Sequence, residues 1–362
     1  MLKILFLINH AGKAGTEKYV RNLIEYYHNK RAICLFAYNE GGLLAEQMEE
    51  EGIKSFRFDM HHPFDLAAAR KLAKICKAEG IDIIHTQYPR ENYIAVLARL
   101  FGSPAEVVYT CHLTLIPGPA WTLTNSVITR FNKKIIAVCN YSKEILIKAG
   151  VNGDKITVIF NGVVPAEGEP VRSKAIRGEL GIGEDTFVIT TLARYQEEKG
   201  LEFLVNSMAE LKRRSKRKFC CLIVGDGALY EDIKQKIAEE GLGEEVLQLG
   251  FRRDTDSILA GSDVFVNSAK SNEALSFAIL EGMEHGLPII ATDIGGNPDI
   301  VNEKTGVGIL VPYNNPEKMA DAVIKLMEDN DFYKECSQNS LKAVREVFNL
   351  EKLMDVTFEQ YK

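Results

Sequence analysis

Two acids stand eight positions apart in the stretch "SNEALSFAILEGMEHGLP": Glu273 and Glu281, with the apolar run Leu275 to Leu280 between them. Gly286 and Pro288 stop a helix and Ser276 suits an N-cap, so a helix is predicted over Phe277 to His285. Glu273 then falls in the loop before that helix, and Glu281 in its second turn. A helix N-terminus reached from a strand through a short loop carries unpaired N–H groups and a positive dipole end, which is a ready phosphate site. Eight helical residues span roughly 12 Å, about the reach from a sugar across a diphosphate to a ribose. One carboxylate can accept from sugar hydroxyls and the other from a vicinal diol.

Two further groups suit the same ligand. "LARYQEEKG" sets Arg194 just past a strand end and Lys199 five residues on, a rigid fork and a mobile ammonium that together match a diphosphate. "INHAGKAGTEKYV" reads as a strand, then Gly12 and Gly15, then a helix, and glycine there lets backbone approach a phosphate closely. "GKAG" lacks the GK[ST] ending of a Walker loop and is not GxGxxG, which counts against a dehydrogenase. Plainer readings stand beside these. Glu273 can be a surface charge and Glu281 a paired acid on a helix flank. Arg194 and Lys199 can pair locally with Glu197 or Glu198. Gly15 can be a helix-entry glycine, and His112 and His85 can be satisfied core histidines at strand ends.

The elements that must position these residues alternate along the chain. Apolar runs begin with "KILFLI" (3–8), "AICLFAY" (32–38), "KSFRFD" (54–59), "DIIHTQ" (82–87), "EVVYTC" (106–111), "KIIAVC" (134–139) and "ITVIFN" (156–161). They continue with "FVITTLA" (187–193), "FCCLIVG" (219–225), "VLQLGF" (246–251), "VFVNSA" (264–269) and "PIIATD" (288–293). Amphipathic helical patterns lie between them. Strand–helix alternation with near-continuous Val, Ile and Leu predicts parallel sheets covered on both faces. The Gly-, Pro- and Glu-rich segment "NGVVPAEGEPVRSK" (161–174) divides two such series. The predicted organisation is an α/β fold of two tandem Rossmann-like domains, 1–165 and 166–345, whose sheets open on a cleft. A C-terminal helix within 346–362 either caps the second domain or crosses back to the first.

Composition bounds the class. At 362 residues, 46% hydrophobic and 26% charged, the chain has room for two cores. No apolar run reaches the ~18 residues of a spanning helix, and the N-terminal "LKILFLIN" reads as a strand rather than a signal peptide. Seven cysteines without a CxxC pair point to a reducing compartment, with no disulfide framework and no zinc cluster. Residues 1–165 carry 20 Lys and Arg against 15 Asp and Glu, and residues 166–362 carry 24 against 35. A basic first half suits an anionic acceptor or an anionic membrane surface. "PGPAWTLTNSVITRFNKK" (117–134), which holds the single Trp, reads either as a surface helix or as a membrane or acceptor contact. "KRRSKRK" (212–218) reads as a solvated helix end, and nucleic acid is not an expected partner.

Taken together the motifs resemble retaining glycosyltransferases of the GT-B fold, in the large family 4. The signature is E-x7-E at Glu273 and Glu281, followed by "GLPIIATDIGG". Arg194 and Lys199–Gly200 match that family's Arg and Lys-Gly pair, "AGTEKYV" its N-terminal turn, "TCH" its Thr-x-His and "FNG" its interdomain Asn-Gly. The resemblance runs over essentially the whole chain, with Ala14, Ala274, Val164 and Asp299 as departures. It implies that Arg194 and Lys199 hold the donor diphosphate, Glu273 binds sugar hydroxyls and Glu281 the ribose. It also implies that Gly12 and Gly15 meet the diphosphate through backbone and that His112 sits near the transferred sugar. Ser276 and Phe277 then offer N–H groups to phosphate, while Gly225 and Phe251, the latter in "LGFRRD", lie toward the nucleotide.

The implied reaction is displacement of a nucleoside diphosphate from an anomeric carbon by an acceptor hydroxyl, with the leaving charge stabilised by cations. No second carboxylate is evident for a double displacement, so same-face attack is expected, with domain closure excluding water. A UDP-sugar is the favoured donor and GDP-mannose the next, with a glycan or lipid-linked acceptor. No metal and no cofactor is expected. The expected location is the cytoplasm, with peripheral contact at the inner face of the membrane. Two alternatives remain at this point: a GT-B-shaped UDP-sugar epimerase, and a catalytically silent partner subunit of a glycan assembly complex.

Overall fold

The computed structural model describes residues 1–112, 118–165, 168, 173 and 175–362. Much of the proposed linker, at 166, 167, 169–172 and 174, lies outside the described residues, as does Pro117 of the Trp-bearing stretch. The chain divides into two α/β units, one of Met1–Asn161 with Glu351–Lys362 and the other of Gly162–Leu350.

The strands of the first unit are β1 (Leu2–His10), β2 (Ala32–Glu40), β3 (Ser55–Arg57), β4 (Ile83–Thr86), β5 (Glu106–Cys111), β6 (Lys134–Ala137) and β7 (Ile156–Val158). They form one parallel sheet in the order β3-β2-β1-β4-β5-β6-β7. The second unit holds β8 (Phe187–Leu192), β9 (Phe219–Val224), β10 (Val246–Gly250), β11 (Val264–Asn267), β12 (Ile289–Thr292) and β13 (Gly308–Val311). Their order is β10-β9-β8-β11-β12-β13, again all parallel. This is the doubly wound α/β fold that the alternation predicted. In each sheet the strand order reverses once, between β1 and β4 and between β8 and β11. Such switch points open a crevice at the carboxyl ends of the strands.

The apolar runs become strands because both faces are covered. Leu5, Leu7, Leu35, Ile84 and Val107 pack on one face of the first sheet against Leu72, Ala73, Cys76 and Ile94 of two helices. In the second sheet Ile189, Cys221, Ile223, Val264 and Ile290 pack against Leu204, Met208 and Val323. All seven cysteines are buried, as small apolar residues of these cores.

Several strands are shorter than the runs that announce them. β4 stops at Thr86, so Gln87 leaves the ladder, and β11 stops at Asn267, whose side chain turns to cap the following loop. β13 escapes the sequence reading. It is four residues long and begins at Gly308, where a Cβ would stand 1.8 Å from Ile289 O. Only a glycine allows that approach. The C-terminal segment holds a helix, Leu350–Glu359; its Met354 and Phe358, and Tyr361 just beyond it, are buried within the first unit.

Candidate active site

In the second unit the switch point brings Lys199 and Glu273 together. Lys199 ends a short 3-10 turn (Glu197–Lys199) in the segment after β8, and Glu273 lies in the loop after β11, the strand beside it in the sheet. Lys199 Nζ donates to Glu273 Oε2 at 2.8 Å, with the side chains 23% and 7% exposed. Gly200 explains the Lys-Gly pair. Its φ is +61°, and a Cβ there would meet Ser268 O at 2.1 Å. Ser268 Oγ donates in turn to the carbonyl of Lys199 at 2.9 Å. The lysine backbone is therefore pressed against the exit of β11, which aims its ammonium at the acid.

The Glu273 loop is held by residues that the motif reading passes over. Asn267 Oδ1 accepts from Ala269 N at 3.1 Å and from Asn297 Nδ2 at 3.2 Å. Asn297 also donates to Thr292 O at 2.9 Å, and Thr292 Oγ1 donates to Ala269 O at 2.7 Å. Gly296 N–H donates to the Glu273 carbonyl, and at Gly295 (φ +61°) a Cβ would stand 1.9 Å from that same oxygen. Asn267, Thr292 and Asn297 are buried polar residues, each at the end of a strand or the start of a helix. A polar residue closing an apolar strand is the signal that could have found them. The "TDIGG" tail thus reads as the mould that fixes Glu273.

The helix after this loop runs Phe277–Glu284 with Ser276 at its N-cap, one residue shorter than predicted. Ser276 makes no side-chain bond into the first turn, and its Oγ instead accepts from Asn267 Nδ2 at 3.4 Å. The first-turn N–H groups lie outside the intrahelical ladder, so this end retains its pull on anions. Glu281 is half-buried in the second turn. Arg194 is 60% exposed and 3.6 Å from Glu198, so the local pairing considered from the sequence holds for Arg194 but not for Lys199. Gly225 has φ +139°, and its Cβ would lie 2.0 Å from Ala193 O. Its N–H donates to Gly250 O at 2.8 Å, so Gly225 contributes shape and no free donor. Phe251, just past β10, is 56% exposed. Among the described residues no group of three His, Cys, Asp or Glu side chains could hold a metal ion.

In the first unit the loop after β1 leads into the helix Gly15–Tyr27, with Ala14 at the N-cap. Alanine has no acceptor for the first turn. Glu17, in that turn and buried, reaches back to accept from Gly12 N at 3.3 Å and Ala14 N at 3.1 Å. Glu17 thus holds the loop's shape, and the N–H of Gly12 is already engaged. Gly15 is exposed at the first helical position.

His112 follows β5. Its Nε2 lies 3.1 Å from Gln87 Oε1, and the Tyr19 ring meets its ring edge-on at 5.0 Å. An amide oxygen accepts, so Nε2 carries the proton and Nδ1 is left as the acceptor. Desolvation lowers the His112 pKa, which keeps the ring neutral. His85 is fully buried and held at both nitrogens, by Tyr361 Oη and Thr110 Oγ1, each at 2.7 Å. It is structural, as the plainer reading has it. Beside Gln87, Glu91 is fully buried and burial pushes its pKa up to about 7. The N–H groups of Asn9 and Glu91 lie near enough to oppose that shift, yet neither carboxylate oxygen closes a hydrogen bond.

The chain has known relatives. Residues 172–343 match the family model of glycosyl transferases group 1, and residues 14–167 that of glycosyltransferase family 4. A UDP-Gal:α-D-GlcNAc-diphosphoundecaprenol α-1,3-galactosyltransferase of Escherichia coli is 30% identical, over 81% of this chain and 79% of its own. The N-acetyl-α-D-glucosaminyl L-malate synthase of Bacillus anthracis is 26% identical, over 84% and 81%. The structure of HepE from Anabaena in complex with UDP superimposes with a TM-score of 0.85 at 22% identity, covering 99% of both chains. The chain belongs to the family 4 glycosyltransferases of the GT-B fold and is an enzyme of that class.

Proposed function

We propose that this glycosyltransferase moves a hexosyl unit from a UDP-sugar, with GDP-mannose the next candidate, to a hydroxyl of a glycan or lipid-linked acceptor, with retention of anomeric configuration. The observation that carries the donor assignment is the Lys199–Glu273 contact at the switch point of the second unit. A half-buried ammonium and a buried carboxylate beside a helix N-terminus offer one donor set for phosphate and one acceptor set for sugar hydroxyls. In this reading Lys199 turns to the diphosphate when the donor binds, and Arg194, already exposed, joins it. Glu273 is then released to hydrogen-bond the sugar. Glu281 takes the ribose diol, and the first turn at Ser276 and Phe277 faces phosphate. Phe251 offers an apolar face to the base.

Charge building on the leaving diphosphate is met by two cations and a helix dipole fixed before reaction. No metal is required for that step. The first unit serves the acceptor, and within it Gly15 offers backbone to a phosphate and His112 a ring nitrogen to a sugar. Support for the donor comes from the E. coli relative, whose name specifies UDP-galactose, and from the UDP complex of HepE. The same relative's acceptor is a lipid-linked diphosphate sugar. No helix among the described residues is long and apolar enough to cross a membrane. Leu123, Val127 and Phe131 are exposed near Arg130, which supports peripheral contact with an anionic lipid surface.

A thermal-shift panel of UDP, GDP and ADP and their sugars, with and without EDTA, tests the donor assignment. UDP or a UDP-sugar is expected to raise Tm equally in both conditions. A response to GDP alone would move the assignment to GDP-mannose, and a shift abolished by EDTA would contradict metal independence. Release of UDP only when acceptor is present separates transfer from epimerisation.

A further inference from the structure

A buried hydrogen-bonded chain runs from Tyr361, just past the C-terminal helix, to Tyr19, whose ring touches His112. Tyr361 Oη lies 2.7 Å from His85 Nδ1, and His85 Nε2 lies 2.7 Å from Thr110 Oγ1. Thr110 Oγ1 is 3.3 Å from Tyr19 Oη. Tyr361, His85, Thr110 and Tyr19 are each 2% exposed or less. Burial lowers the His85 pKa to about 3, so the ring is neutral and has one donor and one acceptor nitrogen. One consistent polarity results: Tyr361 O–H donates to Nδ1, Nε2–H donates to Thr110, and Thr110 donates to Tyr19. Reversing every bond gives the other. Either way each member is satisfied only while its neighbours stay in place.

The last member of the chain touches His112. The Tyr19 ring stands edge-on to that imidazole at 72°, and Gln87, itself fully buried, holds Nε2. A ring restrained at one nitrogen can still pivot about that bond, and the Tyr19 edge stops the pivot. Tyr19 sits on the helix that begins at Gly15, and Thr110 lies two residues before His112 on the same strand and its exit. We propose that Tyr361, acting through His85, Thr110 and Tyr19, is a positioning residue that sets the orientation of the His112 imidazole. The consequence for turnover rests on the proposed role of His112 at the transferred sugar.

Removing the Tyr361 hydroxyl leaves a buried imidazole nitrogen without its partner. His85 then rotates, Thr110 follows, and Tyr19 loses its anchor. The test compares Tyr361→Phe and Tyr19→Phe, which keep both rings, with Tyr26→Phe, which removes a bond to Asp355 of the same C-terminal helix but lies outside the chain of bonds. Imidazole ¹⁵N–¹H spectra, with His112 assigned through His112→Asn, report the ring directly and need no substrate. Both hydroxyl deletions are expected to shift the His112 signals and to lower kcat about tenfold, with donor KM held within about twofold. Tyr26→Phe is expected to leave the ring signals in place. His112 signals superimposable on wild type in folded Tyr361→Phe and Tyr19→Phe would overturn the proposal, whatever the kinetics. Shifted signals in a chain that turns over no nucleotide sugar would instead uphold the positioning and count against the functional reading alone.

Discussion

The ammonium of Lys199 and the carboxylate of Glu273, 74 positions apart in sequence, lie 2.8 Å from each other with the acid almost wholly buried. A partly buried pair is poorly hydrated, so removing one member strands the other. Lys199→Met and Glu273→Gln should each destabilise the second unit by about 1–3 kcal/mol and weaken UDP binding or transfer. The double variant should recover part of the stability but none of the activity. Denaturant melts of the cycle measure the coupling; additive losses would contradict a mutual contact.

Arg194 makes a useful contrast, since its side chain is 60% exposed and 3.6 Å from Glu198. Exposed pairs contribute about 0–1 kcal/mol. Arg194→Ala should therefore melt within about 2 °C of wild type while losing transfer by at least about a hundredfold. A folded Arg194→Ala enzyme with normal turnover would remove Arg194 from the mechanism.

Gly295 supports Glu273 from below, and its φ of +61° places a Cβ 1.9 Å from the Glu273 carbonyl. Gly181 has a similar φ of +65° with nothing within 4 Å of its Cβ. Gly181→Ala should cost about 1 kcal/mol from backbone strain. Gly295→Ala should cost about 2 kcal/mol or more and displace Glu273, with a fall in donor affinity. Equal effects at both sites, read by thermal melts and UDP titration, would show that the contact with Glu273 is unimportant.

Glu91 gives a pH signature. Its carboxyl is raised from 4.5 to about 7 in the folded chain, so the folded state holds the proton more tightly than the unfolded one. Its contribution to stability is full below the unfolded value and is lost as pH rises through about 7. His85 acts in the other direction, losing stability as pH falls from 6.5 toward 3. Comparison with Glu91→Gln cancels the His85 effect. The stability advantage of the Gln variant, read from denaturant melts, should grow between about pH 5 and about pH 8 toward a limit of about 3 kcal/mol. A pH-independent difference would show that Glu91 titrates normally.

Local pattern carried much of this protein. Runs such as "FCCLIV" and "EVVYTC" read as strands covered on both faces, because they are short, bear β-branched residues and do not alternate. Ser276 and Gly286 bracket a helix through their backbone preferences, and the observed Phe277–Glu284 falls inside the expected limits. The chemical types at Arg194, Lys199, Glu273 and Glu281 suit a ligand with phosphates and hydroxyls.

What pattern could not supply was adjacency. Lys199 meets Glu273 because β8 and β11 are neighbours in the sheet although two strands separate them in the chain. β13 stayed hidden because its entry depends on one glycine fitting against a neighbouring strand. Glu17 and Asn267 look ordinary in sequence, and Tyr361 offers no clue that it reaches His85 across 276 positions. Helix and strand preferences are local properties of a few consecutive residues. Hydrogen bonds between distant side chains exist only once the sheet order has closed the distance, and for this protein that order decided the site.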